Sequence, residues 1–536
     1  MQKSIKRNIF VAATYAAVLL LGLLLGQNYA EEQGSNQKTT FSSLRSNGNS
    51  DKLQYLIQLI AENYVDNVSI DTVQDEAIEH VVSRLDPFST FLRPNQVLAK
   101  QETLEGTFDG IGVEYFRLKD TLLVVGMVAA GPAEKAGMRI GDRILKIGNK
   151  DLVGRKVVES EIEKLIRGKK GTAVLISIQR NGVVLGNPIK VIRDQVNVSS
   201  LDASYMIAPK TAYVKIRRFG HKTADEFRQS LIDLRKSGAQ DLILDLRNNG
   251  GGFVHTAIDL AGQFFKEKRL LMYTEGANEL RQDFYSEKAG DFGDGRVIVL
   301  INESTASASE ILSGALQVLD RATIVGRRSY GKGLVQEQFD FSDGSTINLS
   351  IARYYTPLGR SIQRKYRPNW SIMNEHVTMY NGLWSLDTTY AHAQAYQTKL
   401  GKKLYSGGGI VPDIVIPIDS NEVSLLYQDL VQSSLIEQFV YSRFTKKLPA
   451  YSIENFLQGY NLPSAEYNSF INFLTDRGWK ISAGKQRDLH DLIQSDIEAL
   501  LGRYYFGREA YFKVKNRYDA FIESALSQLG FTDNNS

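Results

Sequence analysis

Between Tyr205 and Val325 the chain alternates short apolar runs with helix-period stretches, and no other feature limits its fold as much. The candidate strands are Ala212 to Ile216, Leu242 to Leu246, Leu270 to Tyr273 and Val297 to Ile301. The candidate helices are Ala224 to Lys236, Val254 to Phe265 and Ala308 to Leu319. Strands this apolar along their whole length suit a sheet buried on both faces, which predicts an α/β core.

The regions on either side read differently, so the fold class is a multidomain mix of α/β and α+β parts. Residues 51–105 carry helix-spaced leucines and isoleucines up to the Asp86-Pro87 stop. Residues 106–193 show short apolar runs between Gly, Pro and Asn turns, with one helical stretch at Val157 to Ile166, as in a small β-rich domain. The core is expected over 200–420, turning β again after Gly333, and residues 421–536 read as a helical C-terminal domain.

At the N-terminus Lys3, Lys6 and Arg7 precede an apolar run from Ile9 to Gly26. Its eighteen residues span about 27 Å as a helix, close to a bilayer core. Residues 1–30 are thus expected to be a membrane anchor or a removable signal peptide. Either places the rest of the chain outside the cytoplasm, on the periplasmic side of an inner membrane. The polar Glu31 to Ser50 stretch suits a flexible linker.

Composition excludes several chemistries. The chain has no cysteine, so thiol catalysis, Cys-ligated zinc and disulfide staples are ruled out. A net charge of +4 over 536 residues, with no nucleic-acid motif, gives no reason to expect a nucleic-acid partner. No His-Glu-x-x-His zinc helix and no Gly-x-Ser-x-Gly elbow occur, and neither a metal nor a cofactor is expected.

The candidate chemistry begins at Glu303-Ser-Thr-Ala-Ser-Ala-Ser309, where an apolar strand turns into a helix. A hydroxyl there would sit beside outward-facing N–H groups able to hold an oxyanion, although Ser and Thr are also ordinary helix caps. A nucleophilic serine needs a base. Of the six histidines, only His255, just past a glycine cluster, stands as a rival. Lys332, flanked by Gly331 and Gly333, would serve if burial lowered its pKa from about 10.4 to near 7–8, and Gln336 four residues on could orient the amine. Gly326 to Lys332 imitates a phosphate-binding loop, but Gly333 stands where Ser or Thr should come next. Asp245-Leu-Arg-Asn-Asn-Gly-Gly-Gly252 could present backbone N–H groups. In the β-rich domain the Gly110-Ile111-Gly112-Val113 loop could take a peptide carboxylate, with Ile111, Val113, Ile162 and Leu165 lining an apolar pocket.

Together, these segments resemble the carboxyl-terminal processing, or tail-specific, serine proteases, over roughly 51–363 and Gly407 to Asp413. The supporting motifs are Leu85-Asp-Pro-Phe-Ser-Thr90, the Gly110-Ile-Gly112 loop of a PDZ domain, Asp245 to Gly252, Ser304 to Ile311, Val325 to Gln336 and Tyr354 to Gln363. The resemblance implies Ser307 as nucleophile, Lys332 as base and Gln336 as its support, with an oxyanion hole near Ala308 and Gly251. It also implies a PDZ-like domain that takes protein or peptide substrates by accessible C-terminal tails, with an adaptor protein or a homo-oligomer as further expectations. An insert at Arg364 to Tyr405 and the helical tail depart from the family pattern. The rival readings are a catalytically inactive PDZ scaffold and a hydrolase of nonpeptide acyl compounds.

Overall fold

The computed structural model of the protein describes residues 52–531, except 119–120, 155–156, 288, 367–393, 420, 422–423 and 445–451. The expected anchor and linker, and most of the 364–405 insert, lie outside the described residues. The chain divides at Ile78 into two compact units. In the first, helix Lys52–Asn63 buries none of its residues.

The second unit opens with the strand Thr90–Leu92 and helix α1 (Pro94–Glu105), which Gly106 ends in a left-handed conformation at φ 70°. A small β domain comes next. Strands β1 (Val113–Leu118), β2 (Thr121–Met127), β3 (Arg143–Ile147) and β4 (Ala173–Arg180) pair antiparallel in that order, and helix α2 (Glu159–Ile166) packs Ile162 and Ile166 on them. The turns of Gly and Asn read in the sequence fall around these strands, with φ positive at Gly137 and Gly141 between β2 and β3, at Gly148 and Gly171 between β3 and β4, and at Asn181 and Gly182 just after β4.

The core is a six-stranded sheet in the order β5 (Leu201–Ala208), β6 (Thr211–Ile216), β7 (Asp241–Asp245), β8 (Val297–Ile301), β9 (Thr323–Gly326) and β12 (Ile414–Val415). Only the β5–β6 pair is antiparallel. Every residue of β7 and β8 is buried, because both faces are covered. Leu242, Leu244, Val297 and Val299 face α5 (Thr223–Lys236), α6 (Val254–Gly262) and α7 (Ala308–Val318). Ile243, Ile298 and Leu300 face the opposite layer, which includes Phe521, Ile522 and Ala525 of the C-terminal helix α10 (Ala520–Gln528). The helical extension therefore supplies the second outer layer of the core through α10 and through Phe512 of α9 (Arg508–Lys515), while α8 (His490–Phe506) packs in the extension's own apolar cluster.

One strand departs from expectation. Leu270–Glu275 does not join the parallel sheet but pairs antiparallel with β11 (Thr346–Tyr355), which also pairs with β10 (Leu334–Asp340). Its Leu271 and Met272 still enter the core. An apolar run reports burial rather than which strand it will pair with.

Candidate active site

The strand β8 ends at Ile301, and the five residues after it fold back so that Ser307 caps α7. The hydroxyls around it have separate duties. Thr305 donates to the Leu246 carbonyl at 3.0 Å, and Ser309 donates to the Asn249 carbonyl at 3.0 Å, so both stitch the turn to the Asp245–Gly252 loop. Ser304 is exposed. Ser307 has φ 57° and ψ −117°, a strained backbone for a residue with a side chain. The cap and nucleophile readings thus fall on the same residue.

Ala308, the first residue of α7, is wholly buried, and its N–H has no hydrogen-bond partner among the described residues. Buried backbone donors are nearly always paired, so an orphan beside a serine suits an oxyanion that arrives with substrate. Gly251 stands against the serine. At φ 100°, a β-carbon there would fall 2.8 Å from the Ser307 Cβ and 2.9 Å from the Ala308 nitrogen. Its own N–H is already donated to the Asn249 side-chain oxygen at 2.9 Å. Of the two expected oxyanion donors, the structure leaves Ala308 open and engages Gly251. Gly251→Ala should therefore push Ser307 aside and lower kcat by about 100-fold or more with little change in KM, read by steady-state kinetics on folded protein.

Lys332 lies in the loop ahead of β10 rather than on the strand. Its amine donates to the Gln336 side-chain oxygen at 2.7 Å, and the Gln336 amide donates in turn to the Phe88 carbonyl at 2.5 Å. The Phe88 ring centre is 5.1 Å from the amine. Burial, with the charge of Lys100 beside it, lowers the Lys332 pKa to about 8, while Asp86 and Glu310 work against both. Among the described residues, Ser307 is not a hydrogen-bond partner of this amine.

Four residues to which the sequence assigns no role organise this site. Glu310, wholly buried, accepts hydrogen bonds from the N–H of Ser307 (2.9 Å), Gly331 (2.7 Å) and Lys332 (2.9 Å) and from the Ser329 hydroxyl (2.5 Å). Burial lifts its pKa to about 7 against the pull of these donors. Tyr354 donates its hydroxyl to the Lys332 carbonyl at 2.9 Å and lies 3.3 Å from that of Ser307. Asn249 anchors the glycine loop through its amide to the Ile216 carbonyl at 2.9 Å, and Phe88 supplies the support for Gln336. Only Glu310 has a local signal, the Ser-x-x-Glu spacing of a capping box.

The rival His255 is exposed, with ring contacts to Phe253 and His221. Gly326 to Lys332 leads into β10, not into the helix a phosphate loop requires. In the small domain Gly110 ends the short strand Thr107–Gly110, Gly112 turns at φ 74°, and Val113 begins β1. Ile111 is wholly buried in that domain's core, so its side chain packs the domain and leaves any peptide contact to the loop backbone.

Comparison with known proteins places these features in a family. Residues 210–372 match peptidase family S41, 123–180 match a PDZ domain, and 426–507 match a family of unknown function. The carboxy-terminal processing protease CtpA of Bacillus subtilis (strain 168) is 34% identical over 317 residues, covering 59% of this chain and 67% of its own length. A probable CtpA-like serine protease of Staphylococcus epidermidis (strain ATCC 12228 / FDA PCI 1200) is 29% identical over 450 residues, covering 82% of this chain and 88% of that protein. Among solved structures, the photosystem II D1 C-terminal processing protease is 23% identical, with TM-score 0.36, covering 69% of this chain and 94% of that one. The chain belongs to peptidase family S41, as a carboxyl-terminal processing serine protease that carries a PDZ domain.

Proposed function

We propose that the chain is an endopeptidase in which Ser307 and Lys332 form the catalytic dyad. The observation that carries this reading is the half-buried Lys332 amine, lowered to about 8 and held by Gln336, on a loop tied through Glu310 to the nucleophile's own backbone. With one hydrogen of the neutral amine given to Gln336, its lone pair is left for the Ser307 proton. The serine oxygen attacks a peptide carbonyl, and the developing oxyanion takes the Ala308 N–H. Lys332 returns the proton to the leaving amine, and water then releases the acyl-enzyme. Gln336 and Glu310 orient these groups without joining the reaction.

Substrates are exported or membrane proteins whose free C-terminal tails are captured by the Gly110–Val113 loop and the open edge of β1. The Ile9–Gly26 segment would tether the protein to the inner membrane, with the catalytic part in the periplasm.

A serine-reactive phosphonylating probe, with cleavage of an unfolded tailed protein followed in parallel, tests the dyad. The probe should modify Ser307, as mapped by mass spectrometry, and cleavage should stop in proportion to labelling. The rate should climb as pH rises through about 8 and level off above it, because deprotonation of Lys332 creates the base. Modification of another residue, or full cleavage after Ser307 is blocked, would overturn the assignment.

A further inference from the structure

Residues 426–507 of the helical extension match a family of unknown function. Besides the core it covers one face of the small domain. Along β1, Val113 and Tyr115 pack on the small domain's own core, while Phe116 and Leu118, with Leu123 and Val125 of β2, join the apolar cluster of the extension. The Phe116 ring lies 5.1 Å from that of Tyr441. A strand alternates its faces, so the side of β1 turned from the small domain's core is the side the extension covers.

Charge traces the same path. Glu114 of β1 accepts from Arg503 at the end of α8 (2.6 Å) and from Arg508 at the start of α9 (3.1 Å). Arg508 also donates to Asp202 of the core strand β5 at 2.8 Å, and Asp202 lies 3.7 Å from Arg217. Burial pushes the Glu114 carboxyl up, but Arg503 and Arg508 hold it below its ordinary value. Beyond Arg508 the extension is seated on the core, where Asn516 donates to the Tyr205 hydroxyl at 2.8 Å and α10 closes the sheet. Among the described residues β1 pairs with β2 alone, which leaves its other edge open to an added strand.

We infer that the helical extension is a brace. It pins the peptide-binding strand β1 to the protease core through Glu114–Arg508–Asp202 and the Phe116–Tyr441 contact, so that a captured tail is held at a set distance from Ser307. This rests on tail capture by the small domain. It assigns the extension an intramolecular partner, the strand face opposite the domain's own core.

The full chain carrying Glu114→Arg, Arg503→Glu, or both tests the brace, with Tyr441→Ala probing the apolar contact independently. Hydrogen exchange is read at β1 and α9. Cleavage is followed on a tailed unfolded protein and on a short peptide ester without a tail. Arg503→Glu and Tyr441→Ala should each speed exchange in both elements and lower kcat/KM for the tailed protein about 10-fold, leaving ester turnover unchanged. Glu114→Arg should restore much of the loss caused by Arg503→Glu, as a swapped pair does. Unchanged exchange at β1 would overturn the brace, as would equal losses on the two substrates. A parent protein that cleaves neither substrate would refute the proposed peptidase, while the exchange results would still decide the brace.

Discussion

Replacing Lys332 with methionine should lower kcat by about 1,000-fold or more, the scale of a lost general base, while the protein becomes more stable at neutral pH. The two effects share one cause. In the folded state burial brings the lysine from 10.5 to about 8, so below that value it is charged in a place that disfavours charge. The lowered folded pKa sets the sign. Between about 8 and 10.5 the unfolded chain holds a proton that the folded one releases, so native lysine costs stability increasingly as pH falls through this window, and fully below it. At about 1.36 kcal/mol per unit the cost is on the order of 3 kcal/mol, and an apolar side chain of similar length removes it. Chemical denaturation at pH 7 and at pH 10.5 would measure this, with the gain expected to shrink at the higher pH. A methionine variant that is less stable at pH 7, or that retains a tenth of the parental kcat, would remove Lys332 from its proposed role.

Glu310→Ala should be the most damaging single change around the site outside the proposed dyad. It would strand three backbone N–H groups and the Ser329 hydroxyl in a wholly buried place, costing about 3 kcal/mol or more of folding stability. Because Ser307 and Lys332 hang from the same carboxylate, kcat should fall about 100-fold even under conditions where the variant is fully folded. Glu310→Gln keeps the shape and one accepting oxygen, turns the other into an amide nitrogen that cannot accept its two donors, and removes a negative charge that raises the Lys332 pKa, so its activity should rise at lower pH than in the parent. A Glu310→Gln enzyme with parental kcat and an unmoved pH profile would reduce Glu310 to a packing residue.

The contrast between these two residues shows how far the sequence can be read. Lys332 stands out because a lysine between two glycines, downstream of a hydroxyl-rich strand-to-helix turn, has few other uses. Glu310 lies three residues beyond Ser307 and reads only as half of a capping box, since its other partners Ser329, Gly331 and Lys332 come from a loop about twenty residues away. Phe88 belongs to the Leu85 to Thr90 motif, yet its carbonyl meets Gln336 across 248 residues of chain, which no local pattern encodes. The Leu270–Glu275 strand and the buried side chain of Ile111 differ from expectation for the same reason. Apolar periodicity tells which residues will be covered, whereas the partner that covers them is chosen by three-dimensional packing.

By itself the sequence determined the alternating core, the turn that carries Ser307, and the lysine and glutamine candidates. These depend on local backbone preferences and on side-chain periods of two and 3.6 residues. The tertiary structure alone decided how Lys332 is lowered, what Glu310 connects, which of the two expected oxyanion donors stays open and where the helical extension rests. Each of those depends on burial and on hydrogen bonds between distant segments, and such energies exist only once the chain has closed around them.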